Sequence, residues 1–316
     1  MEIRFWGVRG SIASPMNELQ LRNRMLSLLE YASRGDLSAA EGRETILNGF
    51  TASNPLVIGG NTACIELRAD DKILIFDMGT GIRHLGNYLQ NEDASKKGLE
   101  IHIFISHTHW DHIQGFPFFA PAYEPQNKIK FYSVHPGLRE RMELQQDPRF
   151  FPVAMDQMSC QKEFIQLEEN ECIMLGNLRI RNMELYHPGK SYSYSVEEGS
   201  SKFVFASDSE FKDTGRTAAD KHIEFFRNAS LLVFDAQYTF TEAIRKEDWG
   251  HSTSVAGIDL SVMAGVKKIA LFHHDPDNDS NKLLNILAQA VRYRKINFPD
   301  KELEIILATE GLRITM

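Results

Sequence analysis

The sequence predicts an α/β fold in which helices cover the faces of sheets. Short apolar runs rich in Ile, Phe and Leu recur along the chain, and segments with helical spacing alternate with them in the second half. The chain has 316 residues, of which 42% are hydrophobic and 25% charged, an ordinary globular composition. No repeat, low-complexity tract or Pro/Ser-rich linker divides it, so we expect a single domain over residues 1–316.

The first half of the chain is predicted to be mainly strand. The strands are Glu2–Trp6, Thr62–Arg68, Lys72–Phe76, Ile101–Ile105, Ile129–Val134, Leu178–Tyr186, Tyr192–Val196 and Lys202–Ala206. The first four end at Gly, Asp or Ser, which terminate strands. A helix follows the third strand, because Ile82, Leu85 and Leu89 recur at spacings of three and four.

The second half alternates between the two kinds of element. Helices are predicted at Thr217–Arg227, Ser254–Ala264 and Asn281–Tyr293, and strands at Leu231–Phe234, Lys268–Phe272 and Leu303–Leu307. This alternation places helices on the sheet faces.

Two segments, residues 16–57 and 136–160, look added to this scaffold. The first is predicted to form one or two helices, and it separates the opening strand from the GGNT sequence at Gly59–Thr62, where a compact core favours a short turn. The second mixes helix formers with Pro148 and Pro152. Each is interpreted as a lid over a site, as surface elaboration or as a contact in a homodimer.

Composition excludes several classes of protein. The net charge of −8, from 35 basic and 43 acidic residues, weighs against binding of long nucleic acids, which need clustered Lys and Arg. No run approaches the ~18 apolar residues of a membrane span, and the N-terminus lacks a secretory signal, so we expect a cytoplasmic protein. The three cysteines, Cys64, Cys160 and Cys172, are too widely spaced for a CxxC zinc site, and we expect them to be buried and unpaired.

The most informative sequence is HTHWDH, which follows the strand Ile101–Ile105 and contains His107, His109, Asp111 and His112. In a tight loop the first two histidines point to one side, while the aspartate and the last histidine reach the other. That arrangement serves two metal ions ~3.5–4 Å apart.

Three further residues stand at the ends of predicted strands: His187, Asp208 and His273. A lone histidine at a strand end is more often hydrogen-bonded to the backbone than bound to a metal, but together with HTHWDH these residues would supply the missing ligands. His274 adjoins His273, and neighbouring side chains on a strand point to opposite faces, so we expect only His273 to reach the metals.

Five features of the sequence resemble, in the same chain order, the five motifs of the metallo-β-lactamase-fold hydrolases. They are Asp77 in FDMGTG, the HTHWDH cluster, His187, Asp208 and His273. The resemblance implies a four-layer αβ/βα sandwich with metals at one edge of two facing sheets. It implies that one metal is held by His107, His109 and His187, that the second is held by Asp111, His112 and His273, and that Asp208 bridges them. Asp77 would order the ligand loop as a hydrogen-bond acceptor; alternatively, its carboxylate caps the turn Gly79–Gly81.

A further motif, Gly250–His251–Ser252–Thr253, resembles that of the branch containing ribonuclease Z and cyclic-nucleotide phosphodiesterases. There the histidine donates a proton, which suits phosphodiesters because an alkoxide leaves poorly unless it is protonated or bound to a metal. We therefore expect Asp111 and His251 to be catalytic. The alternative is a structural histidine at a helix start, with Ser252 or Thr253 as the N-cap.

Ribonuclease Z itself carries a Gly/Pro-rich basic arm that grips transfer RNA, and residues 138–161 are not such an arm. The opening FWGVRGS instead resembles bacterial phosphodiesterase-like members, and its Arg9 either meets a phosphate or is a solvated turn residue. The predicted function is hydrolysis of a small phosphodiester, such as a cyclic nucleotide, by two divalent ions, with zinc the default and manganese or iron also accepted. Alternatives are lactone, thioester or β-lactam hydrolysis, or a non-catalytic metal-bound sensing module.

Overall fold

The computed structural model describes residues 1–33, 37–53, 55–92, 98–211 and 216–316. In chain order its strands are β1 (Glu2–Gly7), β2 (Cys64–Ala69), β3 (Lys72–Phe76), β4 (Glu100–Phe104), β5 (Lys128–Ser133), β6 (Gln161–Gln166), β7 (Cys172–Leu175), β8 (Leu178–Leu185), β9 (Ser191–Glu198), β10 (Ser201–Ala206), β11 (Leu231–Asp235), β12 (Lys268–Phe272), β13 (Glu304–Leu307) and β14 (Arg313–Thr315). The predicted strands are all present. Sequence analysis missed β6, β7 and β14, because these short segments at sheet edges are half-exposed and carry no long apolar run.

The helices are α1 (Glu18–Ala32), α2 (Ala40–Ser53), α3 (Ile82–Glu92), α4 (Trp110–Ile113), α5 (Leu138–Gln145), α6 (Arg216–Phe226), α7 (Phe240–Arg245), α8 (Ser254–Ala264) and α9 (Ser280–Asn297). The predicted α8 has the observed bounds, and Thr253 is its N-cap, accepting a hydrogen bond from the Ala256 amide. Within the described ranges, no helix is both long enough and apolar enough to span a bilayer.

The strands form two seven-stranded sheets, in the orders β14-β1-β2-β3-β4-β5-β6 and β13-β12-β11-β10-β9-β8-β7. Strands β3 to β6 are parallel in the first sheet, and β10 to β13 are parallel in the second. Because β9 is antiparallel to both β8 and β10, β8 runs in the same direction as β10. The carboxyl ends of β8, β10, β11 and β12 therefore lie at one edge, where open α/β sheets form their sites.

The two sheets pack face to face through aromatic side chains. Phe76 of the first sheet lies with its ring centroid 5.2 Å from that of Phe203 and 5.6 Å from that of Phe205, both in the second sheet. Tyr194, also in the second sheet, lies over Phe104 at 5.4 Å and donates a hydrogen bond to the Ile105 carbonyl. These contacts fix the distance between the two edges that carry the site.

Helices cover the outer face of each sheet. Ile82, Leu85 and Leu89 of α3 are fully buried in a second apolar cluster against the first sheet, as their spacing predicts. On the second sheet, Ile258 of α8 and Leu283 of α9 join the central cluster. The predicted αβ/βα sandwich of four layers is confirmed.

The added segment over residues 16–57 forms two helices. The Tyr31 ring of α1 packs edge-on against Phe50 of α2, with centroids 5.6 Å apart, and Arg24 donates to the Pro55 carbonyl. On the outward face of α1, Leu19 and Leu29 are 66% and 60% exposed. Exposed leucines on this face are consistent with the predicted homodimer contact, which stays a prediction.

Two expectations about single residues are wrong. Cys172 is exposed rather than buried, because it lies on β7 at the edge of the second sheet. Arg9 is not a solvated turn residue, and its contact with a phosphate stays a prediction. Its guanidinium is buried and donates to the carbonyls of Gly59, Asp275 and Asn278 at 2.8–3.0 Å, which ties the chain after β1 to the loop after β12.

The packing between the sheets is testable by truncation. We expect Phe76→Ala to lower the free energy of unfolding by about 3–5 kcal/mol, because it opens a cavity between the sheets. Phe240→Ala, at a side chain that is 69% exposed, should change it by less than about 0.5 kcal/mol. Urea denaturation measures both, and equal effects would mean that the inter-sheet contacts do not carry stability.

Candidate metal centre

The predicted site residues lie just beyond the carboxyl ends of strands in both sheets. Asp77 follows β3, Asp208 follows β10 and His273 follows β12, and all three have left-handed backbones, with φ of 61°, 54° and 59°. This conformation is uncommon for residues other than glycine and clusters at functional sites. It turns each side chain out of the strand's alternating pattern and into the gap between the sheets.

One group of ligand atoms consists of His107, His109 and His187, which lie within 4.8 Å of one another. His187 Nε2 is 3.1 Å from His109 Nδ1, while His187 Nδ1 lies 2.8 Å from the Gly250 carbonyl and donates to it. His107 Nε2 is buried without a hydrogen-bond partner among the described residues. Burial lowers the pKa of all three imidazoles, which favours the neutral rings that metals bind.

A second group consists of Asp111, His112, Asp208 and His273. His112 Nε2 lies 3.2 Å from Asp111 Oδ2 and 3.3 Å from His273 Nε2, and His273 Nε2 lies 3.2 Å from Asp111 Oδ2. Burial alone would raise the pKa of Asp111, but the neighbouring His112 and His273 rings outweigh it and hold that pKa well below its usual value.

Asp208 faces both groups. Its Oδ1 lies 3.2 Å from His112 Nε2 and 3.1 Å from His273 Nε2, whereas its Oδ2 lies 3.7 Å from His107 Nε2 and 3.9 Å from His187 Nε2. Burial would raise the pKa of this carboxyl, but His112 and His273 outweigh that effect and hold it well below the usual value. The carboxylate is thus placed as a bridge between the two groups.

The spacing of these atoms fits a divalent cation. In a tetrahedral site with metal–ligand distances of ~2.0–2.1 Å, neighbouring ligand atoms lie about 3.3 Å apart. The separations between atoms of the second group, 3.1–3.3 Å, match that value. A donor set made only of nitrogen and oxygen suits zinc, manganese and iron.

Asp77 orders this arrangement from behind. Its carboxylate accepts hydrogen bonds from the Ser106 amide and hydroxyl at 2.8 and 2.7 Å and from His112 Nδ1 at 2.7 Å. A histidine that donates through Nδ1 presents the lone pair of Nε2 to a metal. The Gly79–Gly81 turn is held instead by the reciprocal hydrogen bonds of Thr62 and Thr80, so Asp77 orders the ligand loop rather than capping that turn.

The two adjacent histidines after β12 point in different directions. His273 Nε2 faces the carboxylates of Asp111 and Asp208, whereas His274 Nε2 donates to the Ala308 carbonyl at 2.8 Å. Burial lowers the pKa of His274 to about 3, so this ring is a neutral structural donor. The geometry agrees with the choice of His273 over His274.

Sequence reasoning missed the role of the opening turn. The Ser11 amide donates to Asp111 Oδ2 at 2.7 Å, and Gly10 lies so close to the His273 ring that a Cβ there would collide with it. Gly250, with φ of 84°, approaches His187 in the same way. FWGVRGS was a usable signal, since a Gly-flanked turn after a buried strand allows close backbone approach.

His251 lies beside the ligand groups and is paired with a carboxylate that sequence reasoning also missed. Its Nδ1 is 2.8 Å from Asp235 Oδ2, and its ring stacks on that of His273 with centroids 5.0 Å apart. Asp235 is fully buried at the end of β11 and accepts hydrogen bonds from the amides of Ser209 and Gln237, both at 3.1 Å. A charge that closes an apolar strand was the available signal, as at Asp208.

A cavity of about 430 Å³ opens over these groups. Four of the predicted ligands line it, together with Ser11, Thr108, Trp110 and His251. The described residues of segments 16–57 and 136–160 lie outside this lining, but Arg141 donates to the Thr108 hydroxyl at 2.8 Å and Gln145 to the Ile113 carbonyl at 3.1 Å. The second segment therefore braces the ligand loop, and its role as a lid stays a prediction.

We expect metal-reconstituted protein to hold two divalent ions per chain by elemental analysis. Asp208→Ala should lower the occupancy of both positions, because the two cations would repel each other with less anionic charge between them. His107→Ala should remove mainly one ion, and His84→Ala, at an exposed position on α3, should remove none. A wild-type content of one ion would contradict the two-metal assignment.

Comparisons with known proteins agree with this geometry. A family model described as a β-lactamase superfamily domain matches residues 74–274. Ribonuclease Z of Picrophilus torridus is 22% identical over 277 residues, covering 72% of this chain and 84% of that relative. The crystal structure of the metallo-β-lactamase fold protein YhfI from Bacillus subtilis superposes with a TM-score of 0.64 at 17% identity, covering 99% of this chain and 98% of that one. Unliganded yeast PDE1 superposes with a TM-score of 0.63 at 12% identity, covering 100% and 99%. The chain therefore belongs to the β-lactamase superfamily and is a hydrolase with the metallo-β-lactamase fold, as its motifs predict.

Proposed function

We propose that this protein is a dinuclear metal-dependent phosphodiesterase acting on a small phosphodiester, such as a cyclic nucleotide. The metals would be two divalent ions held by the residues described above, with zinc the first choice and manganese or iron the alternatives. The observation that carries the proposal is the His251–Asp235 pair beside the two ligand groups. It supports a reaction in which the leaving group needs a proton.

The proposed chemistry depends on which ring nitrogen of His251 is free to carry a proton toward the substrate. The Asp235 carboxylate, fixed by two backbone amides, accepts the Nδ1 proton of His251 and sets the ring's orientation. His251 lines the cavity and, with Nδ1 engaged, has only Nε2 free to hold a proton for a departing alkoxide. When bound, the metals would act as Lewis acids toward the phosphoryl oxygens and lower the pKa of a bound water.

The relative named ribonuclease Z supports a phosphodiester bond as the target. It also weakens our expectation that long nucleic acids are excluded. Two features of this chain still favour a small substrate: the net charge of −8, and the segment 138–161, which contains a short helix and turns rather than a Gly/Pro-rich basic arm.

Two other functions fit the same ligands. Hydrolysis of a lactone, thioester or β-lactam would also use the metals, and a thioester has the least need of His251, since a thiolate departs without a proton. A metal-bound sensing module would hold the metals but would need no proton donor at His251. An activity panel separates them: metal-reconstituted protein is assayed with a bis-aryl phosphodiester, cyclic nucleotides, a precursor transfer RNA, a thioester, a lactone and a β-lactam, and we expect the small phosphodiesters to be hydrolysed fastest.

The role of His251 is testable through the basicity of the leaving group. His251→Ala should keep both metals yet lose roughly 10²–10⁴ in rate on an alkyl or nucleoside phosphodiester. On a p-nitrophenyl ester of the same phosphate the loss should be much smaller, because nitrophenolate departs without a proton. Asp235→Asn should show the same substrate dependence with a smaller loss, since Asp235 acts by positioning His251.

His84→Ala serves as the control and should match the wild type on both substrates. Metal content is measured on every variant. His251 lies within 4.8 Å of ligand atoms of His187 and Asp208, so a variant that loses metal would identify it as a ligand. Equal losses on both substrates with the metals retained would identify it as structural, and either outcome would remove the main support for a phosphodiesterase.

A further inference from the structure

Two of the three tryptophans in the chain are exposed close to the site. Trp6 is buried, whereas Trp110 is 81% exposed and Trp249 is 62% exposed. Trp110 stands inside HTHWDH, between the predicted ligands His109 and Asp111, and it lines the cavity. Tryptophan side chains normally bury 150–250 Å² of surface, so a ring this exposed at the mouth of a site offers a large apolar face to a ligand.

The backbone of Trp110 is fixed at the mouth of the cavity. Trp110 is the first residue of α4, its carbonyl accepts a hydrogen bond from the Gln114 amide at 2.7 Å, and the preceding His109 carbonyl accepts one from the His112 amide at 3.0 Å. Its neighbours on both sides contribute side chains to the ligand groups. A rigid aromatic side chain loses little conformational entropy when a ligand stacks on it.

The rest of the cavity is polar. Among its lining residues in the described part of the chain, Trp110 is the one hydrophobic side chain, and the others are Ser, Thr, His and Asp. A volume of about 430 Å³ falls within the range of small-molecule sites. The polar side chains suit a phosphate, and the single aromatic ring of Trp110 suits one planar ring system. Together they match a phosphodiester that carries one such ring system.

We propose that Trp110 is the stacking platform for the nucleobase of a small nucleoside phosphodiester, an assignment that rests on the proposed function. Every base has a π-face, so stacking binds a nucleoside whichever base it carries. A single platform suits one nucleoside better than a strand, which is gripped by successive aromatic rings. Trp110 thereby distinguishes nucleoside esters from simple alkyl esters.

The test compares two substrates with the same leaving group: thymidine 5′-(p-nitrophenyl) phosphate, which carries a base, and methyl p-nitrophenyl phosphate, which does not. In the wild type, kcat/KM should favour the nucleoside. Trp110→Ala should reduce that preference by about 5- to 150-fold, the loss expected for one stacked base, mainly through KM. Trp110→Phe should retain most of it. Trp249→Ala is the matched control, since Trp249 is exposed but does not line the cavity, and it should retain the full preference.

A second readout does not depend on catalysis. Thymidine monophosphate added to metal-loaded protein should quench tryptophan fluorescence, and the quenching should disappear in Trp110→Phe but persist in Trp249→Phe. An unchanged substrate preference in Trp110→Ala, equal losses in Trp249→Ala, or quenching that survives in Trp110→Phe would each overturn the assignment. If no phosphodiester were hydrolysed, the proposed function would fail, and the fluorescence titration would still decide whether Trp110 stacks on a base.

Discussion

The Asp208 carboxylate, buried between imidazole nitrogens on both of its sides, is the constraint around which the site is arranged. Burying a carboxylate is unfavourable unless opposite charge or hydrogen bonds compensate it. His112 and His273 face one oxygen at 3.2 and 3.1 Å, and His107 and His187 face the other at 3.7 and 3.9 Å. His107 and His112 come from the loop after β4, His187 from the loop after β8 and His273 from the end of β12. Loops of both sheets must therefore be positioned together for Asp208 to be buried.

Each sheet contributes one buried carboxylate that orients a histidine at the site. The first sheet supplies Asp77 at the end of β3, which accepts the Nδ1 proton of His112, and the second supplies Asp235 at the end of β11, which pairs with Nδ1 of His251. In both cases a buried carboxylate fixes the ring so that Nε2 is the nitrogen left for the site. The resulting division of labour is the basis of our functional proposal: Asp77 orients a metal ligand, whereas Asp235 orients a proton donor.

Much of the fold and the clustering of the candidate ligands follows from local pattern. The strand runs, the three-and-four spacing in α3 and the HTHWDH cluster are all properties of neighbouring residues, and each predicts what the structure contains. The polar residues closing apolar strands predict the shared edge, because parallel strands bring their carboxyl ends together. The motif order then indicates the family.

The features that sequence reasoning missed depend on contacts between distant segments. The Ser11 amide reaches Asp111, and the buried guanidinium of Arg9 reaches the Asp275 carbonyl, across separations of 100 and 266 residues, and neither leaves a periodic signature. The left-handed backbone of His273 and its close approach to Gly10 likewise leave no signature in the local sequence. Cys172 was misjudged because burial was inferred from residue type, whereas its exposure is set by its place on an edge strand.

We propose that Asp208 bridges two cations, and anomalous diffraction from crystals of the metal-reconstituted protein tests this most directly. We expect two anomalous peaks ~3.5–4 Å apart, one beside His107, His109 and His187, the other beside Asp111, His112 and His273, with one Asp208 oxygen bound to each. A single peak at full reconstitution, or a pair of peaks centred away from Asp208, would contradict the account.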